Sequence, residues 1–219
     1  FRHTVDVDLS DRALYEIYLP AFKAAVQKGG AWSIMSSYNL YKGLHAGQNP
    51  RLLKEILRDE WGFDGAVISD WGGVHNTAQA ITGGLDLEFG SWTNGLSEGK
   101  KNAYDSYYLA DPYLKLISEG KVDTKELDKK AANVLRLIFR TAMNNEKPFG
   151  SLNTPEHVEA ARRIAGEGIV LLKNEGAILP LDMSGKKILV VGENAIKPMT
   201  VGGGSSSLKV REEVSPLEG

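Results

Sequence analysis

The chain has 219 residues, 42% of them apolar and 25% charged, with a formal net charge of −2. Those values suit a soluble globular protein of one large domain or parts of two, with no basic excess for nucleic acid and no polybasic stretch for a membrane surface. No apolar run reaches the roughly 20 residues that span a bilayer, and the lack of cysteine excludes disulfide and thiolate chemistry. The chain opens on Phe1-Arg2-His3 rather than Met, so targeting is not legible and either end reads as a cut.

Ser10 is placed to cap a helix running towards Lys28, with Leu14, Ile17, Ala21, Phe22 and Ala25 on one face, a bend at Pro20 and a stop at Gly29-Gly30. "AWSIMSSYN", Ala31 to Asn39, reads as a buried strand ending in polar residues. Asn49-Pro50 opens a second helix carrying Leu52, Leu53, Ile56 and Leu57. A strand over Ala66–Ser69, a helix over Val74–Ile81 and the short strand "GLDLEF" follow. Apolar strands alternating with amphipathic helices predict a parallel sheet covered by helices, with reactive groups at the carboxyl ends of the strands. Beyond a loop at Ser91, helices are expected over Tyr104–Ser118 and from Asp123, the latter with Glu126 placed for a capping-box contact. Residues 144–157 read as a linker between 1–143 and 158–219, and Thr154-Pro155 starts a further helix. "GIVLLKN" and "KKILVVG" are then expected as strands of a second α/β unit, and Val201–Ser207 as a glycine-rich loop.

The chemistry is expected where strand ends present polar groups: Ser36 to Asn39, Ser69-Asp70-Trp71, and Asp86 to Glu88. A carboxylate at the end of a buried strand is held rigidly, so Asp70 can serve as a nucleophile or stabilise a cation. The alternative is that Asp70 simply caps the following helix. Trp71 offers a flat face on which a sugar ring can stack. Tyr38 can turn its hydroxyl to the same pocket or be a half-buried strand tyrosine. Asp86 and Glu88 are expected to face opposite sides of their strand, one towards the pocket and the other as a structural partner. His45 and His75 have no partner at metal-ligand spacing and read as hydrogen-bonding residues. The glycine loop follows no G-x-G-x-x-G and carries no P-loop lysine, so its nucleotide signal is weak.

"LYEIYLPAFKAAVQKGGAWSIMSSYN", "NPRLLKEILRDEWGFDGAVISDWGG", "GLDLEFG", "ARRIAGEGIVLLKNEGAILPL" and "VGGGSSS…VSPLEG" together resemble glycoside hydrolase family 3, the β-glucosidase and β-xylosidase group. The resemblance implies an α/β chain: the C-terminal part of a (β/α)8-type barrel over 1–143 and the beginning of an α/β sandwich over 158–219. It implies Asp70 as the nucleophile of a retaining exo-acting β-glycosidase, with Arg2, Tyr38, Trp71 and Ser205 contacting the sugar. No cofactor and no metal is called for. The partner is a β-linked oligosaccharide or glycoside, not nucleic acid or membrane, and a secreted or periplasmic location follows from the resemblance. The Lys-His pair of the family belongs before Phe1, and its acid/base glutamate lies further along than Gly219. Glu212, Glu213 and Glu218 do not stand in its place. The 219 residues alone are therefore expected to be inactive and to need further chain segments, or a second chain, to complete the barrel. The alternative is a non-catalytic sugar- or nucleotide-binding α/β module.

Overall fold

A computed structural model describes residues 1–90, 107–146, 150–202, 207 and 209–219. The loop expected over 91–102, the start of the helix expected at Tyr104, and Ser205 lie outside the described residues. The chain divides into two compact units, Phe1–Lys147 and Pro148–Gly219.

In the first unit Ser10 Oγ accepts a hydrogen bond from Ala13 N and starts helix α1 (Asp11–Ala13). The chain continues as a π-helical turn, Leu14–Tyr18, and resumes as α2 (Pro20–Gln27). Pro20 cannot donate a backbone hydrogen bond, so it heads a new helix instead of continuing the old one. Gly30 at φ 63° then releases the chain into β2 (Ser33–Met35). Strand β1 (Asp6–Val7) runs parallel to β3 (Leu40–Tyr41), which pairs antiparallel with β4 (Leu44–His45). Asn49 Oδ1 accepts from Arg51 N at 3.0 Å and caps a π-helix, Arg51–Glu60.

Strand β5 (Ala66–Ile68) lies parallel to β2, with Ser33 opposite Ala66 and Met35 opposite Ile68. The segment expected as strand "GLDLEF" narrows to one parallel bridge, Ile68 to Leu87, beside β5. Three successive parallel segments thus end side by side, with Ser36 N bonded to Ile68 O at 2.8 Å and Ser69 N to Leu87 O at 2.9 Å. Helix α3 (Thr77–Gly83) starts three residues later than the spacing predicts, because Asn76 supplies the cap through its side chain to Gln79 N. Its last residue must be small: a Cβ on Gly83 would stand 2.4 Å from Gln48 O.

Leu53, Ile56, Leu57, Trp61, Phe63, Val67, Val74, Ala80 and Leu85 form one buried cluster between these helices and strands. Each buried Leu, Ile, Val or Phe among them contributes about 1.5–3 kcal/mol of transfer free energy. Helices α4 (Asp111–Ser118) and α5 (Lys125–Arg140) complete the unit. Asp123 Oδ1 accepts from Lys125 N at 2.9 Å, whereas Glu126 pairs with Lys129 at 2.6 Å and makes no capping box.

In the second unit Thr154 Oγ1 caps α6 (Pro155–Gly168) through His157 N. The strands expected over 168–174 and 186–192 do not form: Gly168 still belongs to α6, and neither segment has a ladder partner among the described residues. A strand needs a neighbour for its N–H and C=O groups, and none is paired with these.

Candidate active site

Asp70 stands two residues beyond the end of β5, and Tyr38 three residues beyond the end of the neighbouring β2. Parallel pairing in register brings these two strand ends together, and Tyr38 Oη donates to Asp70 Oδ1 at 2.9 Å. Trp71 N donates to the same oxygen at 2.6 Å. Asp70 does not cap α3, whose N-cap is Asn76. That structural alternative to a chemical role is removed.

The guanidinium carbon of Arg2 sits 5.0 Å from the centre of the Tyr38 ring, and the His3 ring meets Tyr38 edge-on at 4.2 Å. Burial raises the Tyr38 pKa, and the hydrogen bond and negative charge of Asp70 raise it further, against the opposing charge of Arg2. The phenol therefore stays protonated and donates to the carboxylate. Trp71 is 52% exposed, and its ring packs edge-on against Phe89 at 5.0 Å. Gly90 makes room for it. A Cβ there would come within 2.3 Å of the indole, and its φ of 57° disfavours any side chain.

The other two carboxylates of this region are structural. Asp86 is 3% exposed at its side chain, pairs with Arg58 at 2.5 Å, and accepts from Val67 N and Asn133 Nδ2. Glu88 Oε2 accepts from Leu109 N at 2.8 Å, and burial raises its pKa to about 7. Residues two apart on a strand share a face rather than alternate, so the expected opposition of pocket and support does not follow from their spacing. Beside them Lys130 donates to the carbonyls of Ala80 and Leu85, and burial lowers its pKa to about 8.

His45 and His75, separate in the sequence reading, stack with ring centres 3.8 Å apart at 24°. No spacing rule links residues 30 apart, so only the fold reveals the pair. Among the described residues no cluster of three His, Cys, Asp or Glu side chains is arranged to hold a metal ion. An apolar cavity of about 340 Å³ lies between α2, β2 and the Arg51–Glu60 helix, and neither Asp70 nor Tyr38 lines it.

The sequence profile of the glycosyl hydrolase family 3 N terminal domain matches residues 2–137, and that of its C-terminal domain matches residues 169–219. The chain belongs to glycosyl hydrolase family 3. It is α/β, the later part of that family's (β/α)8-type barrel followed by the beginning of the α/β sandwich. The beta-glucosidase BoGH3A of Bacteroides ovatus is 55% identical over 225 residues, covering 100% of this chain and 30% of that protein. The exo-alpha-(1->6)-L-arabinopyranosidase of Bifidobacterium longum is 37% identical, covering 99% of this chain and 28% of that protein. The structure of beta-glucosidase 3B from Thermotoga neapolitana in complex with alpha-D-glucose superposes with a TM-score of 0.78 at 33% identity, covering 99% of this chain and 29% of that one. The chain thus spans about 30% of the length of these relatives.

Proposed function

We propose that the chain carries the nucleophile half of a retaining, exo-acting β-glycosidase site, acting on terminal β-linked glucose-like residues. The observation that supports it most is the Tyr38–Asp70 hydrogen bond at the shared mouth of two parallel strands. Both Tyr38 Oη and Trp71 N address Oδ1. The carboxylate is oriented by one oxygen, and Oδ2 is the oxygen assigned to attack.

In the reaction, Asp70 Oδ2 bonds to the anomeric carbon as the bond from that carbon to the leaving oxygen breaks. The leaving oxygen takes a proton from a second carboxyl group about 5–5.5 Å from the first. Water then attacks the glycosyl ester, gives its proton to that same group, and frees Asp70. Trp71 supplies the stacking face for the sugar, and Arg2 reaches its hydroxyls from above the Tyr38 ring. Ser205 is assigned a hydroxyl contact from the glycine-rich loop. The second carboxyl is assigned to no residue of this chain, so the 219 residues by themselves are inactive. General acid assistance contributes about 10²–10⁴-fold.

The relatives' names include beta-glucosidase and arabinopyranosidase, two pyranoside activities. The glucoside is preferred because the 55% identical relative is named a beta-glucosidase. The test is Asp70→Ala in the full-length protein with aryl β-glycosides. The expected loss is at least about 10³-fold in kcat, as for removal of a nucleophile. Near-normal turnover would remove Asp70 from that role.

A further inference from the structure

We propose that the stacked His45–His75 pair is a positioning device for the Tyr38–Asp70 hydrogen bond, tying the turn that presents Tyr38 to the loop that presents Asp70. The proposal rests on Asp70 being the nucleophile.

His45 closes β4, seven residues after Tyr38, and its Nδ1 lies 3.1 Å from the backbone oxygen of Tyr38. A carbonyl can only accept, so Nδ1 carries the proton and Nε2 the lone pair in the neutral ring. His75 follows Asp70 by five residues in the adjacent loop, and its ring lies on that of His45. Gln48 joins the same two loops. It is 1% exposed, accepts from His75 N at 2.7 Å, and donates to Asn76 O at 3.2 Å and Gln79 Oε1 at 2.9 Å. Tyr38 is therefore held from both ends: its carbonyl by His45, its hydroxyl by Asp70. Two ordinary satisfied histidines would not need to meet face to face across the two loops that carry the reacting pair.

The arrangement is sensitive to charge. Two imidazoles stack while at least one is neutral; two imidazolium ions at 3.8 Å repel. Two further basic side chains stand beside Tyr38. His3 meets Tyr38 edge-on, and Arg2 Nε is 3.4 Å from His3 Nε2. Desolvation lowers the His75 pKa, and the neighbouring His45 and His3 lower it further, which favours the neutral His75 ring.

The test is a double-mutant cycle in the full-length protein. His45→Phe keeps a ring in the stack and removes the bond to Tyr38 O; Tyr38→Phe removes the hydroxyl that reaches Asp70. His45→Phe alone should lower kcat roughly fivefold, the worth of one hydrogen bond, with KM little changed. In a Tyr38→Phe background it should have no further effect. His45→Asn, whose side-chain amide stands where Nδ1 was, should restore most of the loss. In His75→Phe the acid limb of kcat/KM should move to lower pH. If the His45→Phe and Tyr38→Phe effects multiply, or the acid limb of His75→Phe is unmoved, the positioning role is overturned. If His45→Phe does not fold, the His45→Asn kinetics and the His75→Phe pH profile decide alone: a kcat fall in His45→Asn equal to that of Tyr38→Phe overturns it. Turnover surviving in Asp70→Ala would instead overturn the reading of the site itself.

Discussion

Val67 and Leu85 in the first unit are wholly buried, whereas Ile169, Val170, Leu171 and Leu172 in the second are 78%, 72%, 59% and 91% exposed. The two apolar runs look alike in sequence. "GAVIS" becomes β5 because β2 lies in register on one side and the segment at Leu87 on the other, with helices covering the faces. "GIVLLKN" finds no ladder partner among the described residues. Apolar content and β-branching state that a segment can be buried; pairing depends on what the rest of the fold places beside it.

The contrast breaks most severely at Asp86. Asp86→Ala would leave the Arg58 guanidinium in a mostly buried position without its carboxylate. Denaturant unfolding of the full-length protein should show a loss of about 3–5 kcal/mol. Glu88 gives a smaller effect with a defined sign. Its folded pKa of about 7 lies above the usual carboxylate value, so its contribution to stability is whole at low pH and is lost as pH rises through 7. Glu88→Gln should therefore gain on the parent above pH 7, by about 1–2 kcal/mol after discounting for its partial exposure, and show no such gain near pH 4.5. Unfolding free energies on the two sides of that window check it. In the second unit, Thr154→Ala removes the cap of α6 and should cost about 1 kcal/mol, read as faster amide exchange in its first turn. Smallest is Leu172→Ala, expected to change the stability of the 219-residue chain by less than about 0.5 kcal/mol. A larger loss would mean that the second unit buries this side chain, and the contrast between the units would fail.

Much of the first unit was legible from local rules. Ser10 and Asn49 bond as caps, Pro20 restarts a helix, and the apolar pattern from Ala66 marks a strand. The same rules placed Asp70 and Tyr38 at strand ends, and the parallel register brings them into contact. What they miss depends on residues far apart in sequence. Asp86 finds Arg58 and Asn133, and His45 finds His75, through the packing of loops and helices that no periodicity encodes. The helix start at Val74 was misplaced because Asn76, not Asp70, supplies the capping oxygen. The second-unit apolar runs form no strands among the described residues, and an apolar run carries no mark of its partner.

The central claim is that Asp70 forms a covalent bond to the sugar. It is tested most directly by inactivating the full-length protein with a 2-deoxy-2-fluoro-β-glucoside bearing a good leaving group, then locating the adduct by peptide mass spectrometry. A fluoroglucosyl label on Asp70 is the predicted result. A label on another carboxylate, with Asp70 unmodified, would contradict it.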